Sequence, residues 1–171
     1  MKKFTALVLA LCMVIALCAC GTKTAGTPAA SPTGDAGTKE ITDMVGRKVT
    51  VPTKVNKIVV LGNTPRMVTY LGLAGEVVGY SGMKADEVKP VTAYAYVTKD
   101  QWKDVPIVGT DAGGNTDYYP EQIIAVKPDV IFCSSPADMA DNIQKQTNIP
   151  VIAVVQGTLF GDDYDQALEL I

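Results

Sequence analysis

The chain has 171 residues, 47% of them hydrophobic and 19% charged, enough for one ordinary domain with a real core. Its 15 basic side chains against 18 acidic ones leave a net charge of −3, so nothing electrostatic points to nucleic acid, and none is expected as a partner. The sequence contains no histidine, which excludes histidine-based metal sites and serine, histidine, aspartate triads, and many hydrolases with them.

Lys2 and Lys3 precede an apolar run from Phe4 to Leu17 that is too short to span a bilayer comfortably, and Cys18, Ala19 and Cys20 follow. A charged start, a short apolar centre and a small residue at the end read as an export signal. The ending Leu17-Cys18-Ala19-Cys20-Gly21 resembles a bacterial lipobox. That resemblance implies removal of residues 1–19 and lipidation of Cys20 as the sole attachment to the cell membrane, on its extracytoplasmic side. Cys12 and Cys18 leave with the signal, so Cys133 is the one remaining thiol, expected to act as a small hydrophobe in a buried strand. Residues 22–39 are mostly Thr, Ala, Gly, Pro and Ser; they are expected to form a disordered tether with a reach of about 20 to 25 Å.

Ordered structure is expected from Glu40. Ile41 to Val51 reads as a small hairpin closed by Pro52, and Lys57 to Leu61 as a strongly apolar strand. Thr64 is placed as the N-cap of a helix with Pro65 at its first position, carrying Met67, Val68 and Leu71 inward and ending at Gly72 or Gly75. Val77 to Tyr80 is a second strand, ending at Ser81-Gly82-Met83. Lys84 to Asp104 reads as irregular, Val105 to Val108 as a strand, and Gly109 to Thr116 as a glycine-rich loop. Pro120 to Lys127 reads as a helix with Ile123, Ile124 and Val126 at helical spacing, stopped by Pro128. Val130 to Cys133 then suits a strand buried on both faces, closed by Ser134, Ser135 and Pro136. A polar helix over Asp138 to Gln146 and a strand over Pro150 to Val155 come next. The last helix, from Asp163, carries Ala167, Leu168 and Ile171 on a side with no partner left in the chain. This order implies an α/β fold, a Rossmann-like, mostly parallel sheet flanked by helices, whose ligands bind at the carboxyl ends of its strands.

The loop Gly109-Thr110-Asp111-Ala112-Gly113-Gly114-Asn115 lacks both the Lys-Ser/Thr ending of a phosphate loop and the dinucleotide spacing. Asp111, Asp117, Asp138 and Glu121 show no paired spacing that assigns an acid and a base. The aromatic residues Tyr80, Tyr94, Tyr96, Trp102, Tyr118 and Tyr119 gather around loops, where they either line a ligand site or pack the rim of the domain.

The segments Ile41-Thr42-Asp43-Met44-Val45-Gly46-Arg47-Lys48-Val49-Thr50-Val51-Pro52, Lys57-Ile58-Val59-Val60-Leu61, Pro106-Ile107-Val108-Gly109 and above all Glu121-Gln122-Ile123-Ile124-Ala125-Val126-Lys127-Pro128-Asp129-Val130-Ile131 resemble, in that order, the N-terminal lobe of the periplasmic-binding family for iron-siderophore, haem and cobalamin uptake. The resemblance implies two α/β lobes joined by a long helix, with ligand held between them; residues 40–171 would be the N-terminal lobe and the C-terminal lobe would be absent. It further implies ligand-facing roles for Asn63 and Thr64, for Ser81 and Met83, for Thr110 and Asp111, and for Tyr94 and Tyr96 in the covering stretch. Glu121 matches the exposed glutamate by which the family docks on arginines of its ABC permease. The function implied is a non-enzymatic, lipid-anchored substrate-binding component of an importer for an iron complex or related chelate such as cobalamin, needing no resident cofactor or metal. Two rival readings stand beside it: an extracytoplasmic flavodoxin-like α/β enzyme, and a structural lipoprotein that uses the lobe as a scaffold.

Overall fold

A computed structural model describes residues 37–112, 115–154 and 162–171, without the side chains of 112–116 and 162–164. The expected signal, lipidated Cys20 and most of the tether lie outside the described residues, as do Gly113, Gly114 and Val155. The expected end of the tether is corrected, because Thr38 and Lys39 pair with Pro52 and Val51 and so belong to the first strand rather than to a tether ending at Lys39.

The β-branched apolar runs form the strands. β1 (Thr38–Thr42) and β2 (Lys48–Pro52) pair antiparallel as a separate hairpin. β3 (Ile58–Leu61), β4 (Val77–Ser81), β5 (Ile107–Ala112), β6 (Asn115–Tyr118), β7 (Val130–Cys133) and β8 (Val151–Ala153) make one sheet in the order β6-β5-β4-β3-β7-β8. All its pairings are parallel except β5 with β6. From central β3 the chain winds outward through β4 and β5, then crosses to the far side of β3 for β7 and β8. The sheet is therefore doubly wound, with its switch point between β3 and β7.

Strand alternation separates two cores. Ile58, Val60, Val130, Phe132 and Ile152 face one side with Met67 and Val68 of helix α1 (Thr64–Tyr70) and with Val49 and Val51 of the hairpin. Val59, Leu61, Ile131, Cys133, Val151 and Ala153 face the other with Ile123 of α3 (Pro120–Val126) and Ala140 and Ile143 of α4 (Ala137–Thr147). Each fully buried aliphatic side chain contributes about 1.5–3 kcal/mol, so both layers of helices are held mainly by this burial.

Several expectations are corrected. α1 is capped by Asn63 rather than Thr64, without a side-chain cap bond, and Leu71 is exposed at its end, where Gly72 takes φ +75° to turn the chain. Lys84 to Asp104 is not wholly irregular: α2 (Ala93–Thr98) lies inside it and carries Tyr94 and Tyr96. The strand read from Val105 begins at Ile107 and continues through the expected glycine-rich loop to Ala112, then returns as β6, so Tyr118 is a strand residue. Here Gly109 has a packing reason, because a Cβ would collide with the carbonyl oxygen of Asp117 on the returning strand. On α3, Ile123 is buried while Ile124 is exposed. The last helix, α5 (Asp162–Leu170), does have a partner: Ala167 is fully buried in the first core, and Leu168, Leu170 and Ile171 are partly buried against it.

The hairpin turn docks on β8. The side chain of Asp43 is fully buried and accepts hydrogen bonds from the amides of Val45 (3.2 Å), Arg47 (2.8 Å) and Ala153 (3.2 Å). Arg47 Nη1 lies 3.3 Å from Asp43 Oδ2 as a charge contact without hydrogen-bond geometry. Its Nη2 donates to Gln144 Oε1 and the Val151 carbonyl, and its Nε pairs with Asp141 at 2.8 Å. The Met44 amide donates to the Ala153 carbonyl, and the Val151 amide to Gln144 Oε1.

Candidate ligand-binding site

Among the described residues, the carboxyl ends of the parallel strands meet in two zones. At the switch point the chain leaves β3 through Gly62, whose φ is +67°. The Gly62 amide donates to Ser81 Oγ and the Asn63 amide to Ser134 Oγ, both at 2.7 Å. Thr64 is fully buried, and its hydroxyl reaches the carbonyls of Leu61 (2.9 Å) and Phe132 (3.2 Å). The hydroxyls of Ser81 and Ser134 at the ends of β4 and β7 thus satisfy amides that the turn would otherwise leave bare, and that of Thr64, at the start of α1, ties to carbonyls at the ends of β3 and β7.

Beside this zone, past the ends of β4 and β5, is a cavity of about 270 Å³ roofed by α2. Ser81 and Met83 line it from β4 and its continuation, Thr110 and Asp111 from β5, and Tyr94 from α2. Tyr80 and Trp102 form its inner wall, with ring centroids 5.0 Å apart at 35°. Trp102 is 3% exposed and its indole N–H donates to the Ala74 carbonyl at 2.9 Å, so the wall is fixed by packing. The Tyr80 hydroxyl donates to the Met83 carbonyl at 3.2 Å, which pins the turn after β4.

Burial pushes the phenol of Tyr80 upward, with Tyr94 adding to it. The Tyr94 phenol is also raised, first by burial; Arg66 pulls it back and Asp111 pushes it further up. Both are neutral hydroxyls at physiological pH, able to donate and accept. The Arg66 guanidinium lies over the Tyr94 ring, 5.7 Å from its centroid.

Of the residues expected to face ligand, Ser81, Met83, Tyr94, Thr110 and Asp111 come together in this cavity. The others do not. Thr64 is a buried strut, corrected by its two carbonyl partners. Asn63 is exposed at the switch point but does not line the cavity. Tyr96 sits elsewhere on α2, 41% exposed, with the Lys99 ammonium 4.3 Å from its ring centroid. Tyr80 and Trp102 were legible as loop-associated aromatics, yet nothing in the sequence marked them as a rigid wall. Glu121 is exposed in the first turn of α3, beside a shallow, open surface depression that Tyr119 and Ile124 also line.

Among the described residues no cluster of three metal-ligating side chains occurs, and no helix is long and apolar enough to cross a membrane. The cavity combines an aromatic wall, neutral hydroxyls and a carboxylate, which suits holding a ligand of mixed polarity.

The fold is that of part of the two-lobed periplasmic solute-binding proteins. A periplasmic solute-binding protein from Veillonella parvula superimposes with a TM-score of 0.55 at 20% identity, over 76% of this chain and 38% of its own. The molybdate periplasmic binding protein MolA of a Haemophilus influenzae ABC transporter, bound to molybdate, gives 0.54 at 26% identity, over 75% and 37%. The haem-binding protein HmuT gives 0.52 at 20% identity, over 86% and 46%. The chain thus spans less than half the length of these proteins. No protein-family profile and no curated protein matches it.

Proposed function

We propose that this chain is the substrate-binding component of an ABC importer, that it performs no catalysis, and that its ligand is an iron-siderophore complex, haem or a related chelate such as cobalamin. Residues 40–171 act as a substrate-binding lobe, held outside the cell by lipid on Cys20 after removal of residues 1–19. Glu121 on α3 docks on a basic site of the permease. A charge pair of that kind orients the encounter and speeds it more than it adds affinity.

The observation that carries this reading is the cavity past β4 and β5, where Tyr94, Met83, Thr110 and Asp111 surround a space backed by the Tyr80 and Trp102 rings. A chelate presents apolar edges and hydrogen-bonding groups together, which is what such a wall recognises. The likeness in fold to periplasmic solute-binding proteins, MolA and HmuT among them, supports the transport role.

Trp102 is the single tryptophan, so its fluorescence reports on this cavity. Titration with ferric siderophores, haem and cobalamin is expected to give a saturable change with at least one of them. No response to any, together with turnover of a phosphoester or reduction of a flavin, would refute the proposal in favour of an enzyme.

A further inference from the structure

The charged and hydrogen-bonding groups around the cavity bear on what class of chelate it takes. An oxyanion site needs free backbone N–H groups or basic side chains aimed at the ligand. At the ends of β3, β4 and β7 four backbone donors are already engaged. The Gly62 amide bonds Ser81 Oγ, and the Asn63 amide bonds Ser134 Oγ. The Gly82 amide bonds the Gly109 carbonyl, and the Ser134 amide the Leu61 carbonyl.

Two nearby basic groups, Lys99 and Arg66, are also turned to other partners. Lys99 lines the cavity, but its ammonium sits over Tyr96, whose ring is not part of the lining. Arg66 does not line the cavity, and its guanidinium is stacked on Tyr94. The acidic groups that line it are Glu87 and Asp111. One Glu87 oxygen accepts from the Lys84 amide at 3.2 Å, whereas Asp111 is exposed and has no ion-pair partner among the described residues.

From this arrangement we infer that the cavity selects chelates without net negative charge, a neutral or cationic complex whose donors or positive edge meet Asp111, and discriminates against oxyanions and polyanionic complexes. The inference rests on the chelate-binding reading above and adds the sign of the ligand's charge. Asp111 is then a specificity-determining residue, acting through charge at the mouth while Tyr94 and Met83 supply contact area.

The test uses the full chain and Trp102 fluorescence with three probes: a cationic ferric trihydroxamate, a trianionic ferric tris-catecholate and molybdate. The trihydroxamate is expected to bind at least about tenfold more tightly than the tris-catecholate, with no saturable response to molybdate. Asp111→Asn is expected to weaken the trihydroxamate about two- to fivefold, the range for one exposed charge contact, and to narrow the ratio between the two chelates. Asp117→Asn, an exposed carboxylate across the β5–β6 pairing that does not line the cavity, is expected to change neither. Tighter binding of the tris-catecholate or of molybdate, or an unchanged ratio in Asp111→Asn, overturns the charge preference and leaves a ligand-binding cavity standing. No response to any of the three probes, nor to haem or cobalamin, removes both.

Discussion

Replacing Asp43 by alanine tests how the hairpin is fastened to the sheet. The carboxylate is fully buried and serves three amide donors, those of Val45, Arg47 and Ala153, as well as the charge of Arg47. Removing it leaves three N–H groups without acceptors, and a buried unsatisfied donor costs about 1–3 kcal/mol. The full sum is not expected, because Arg47 keeps Asp141, Gln144 and the Val151 carbonyl, and water can reach a turn once it loosens. A loss of about 3–5 kcal/mol is expected, the range for removing one partner of a buried ion pair. Asp43→Asn should lose less, since one oxygen can still serve Val45 and Arg47 while its amide group faces the Ala153 N–H. Urea denaturation followed by circular dichroism measures both variants, and the slope of the transition shows whether the hairpin has detached beforehand. A loss below about 1 kcal/mol for Asp43→Ala, with an unchanged slope, would refute the idea that this carboxylate holds hairpin and sheet together.

Gly109→Ala should destabilise the fold by about 1–3 kcal/mol through the clash with the Asp117 carbonyl, and thermal unfolding near the wild-type midpoint would show that β6 yields without cost. Burial pushes the Cys133 thiol up to about 11. Native Cys133 should therefore resist maleimide at pH 8 and react only on unfolding, as read by mass spectrometry of the labelled peptide. The same shift implies a contribution to stability that is full below pH 9.0 and lost as pH rises through about 11, a decline that Cys133→Ala should remove. Cys20→Ala should shift the protein to soluble or unprocessed fractions; normal processing with unchanged membrane retention would rule out the lipid anchor. Glu121→Ala should leave chelate affinity nearly unchanged but slow association with the permease, most visibly at low salt, and transport equal to wild type at every salt concentration would reduce Glu121 to a helix-start carboxylate.

The strand framework was legible because period and composition agree there: Val130 to Cys133 is apolar at every position, and a strand buried on both faces needs that. α3 was equally plain, since Pro120 opens it and Pro128 follows its left-handed cap at Lys127, φ 51°. What failed was decided by long-range contact. β5 and β6, with Gly109 in the first and the Gly113-Gly114 pair between them in the sequence, look like a loop until each supplies the other's hydrogen bonds, and α2 is a six-residue helix with too few positions to show a period. Thr64 shows the limit for the site. A threonine beside a strand end reads equally well as a ligand contact or a strut, and only the carbonyls of Leu61 and Phe132, the latter 68 residues away, decide it.

The fastening of the hairpin also bears on how this chain avoids itself. β8 ends the sheet on one side, and a bare edge strand offers unpaired peptide groups to any extended segment that meets it. Here the outward amide and carbonyl of Val151 go to Gln144 and Arg47, and those of Ala153 to Asp43 and Met44. With all four groups taken, this border is closed to strand addition, and a neighbouring copy could extend the sheet there only by first displacing the turn. Loosening Asp43 or Arg47 would then open an edge for sheet-to-sheet aggregation.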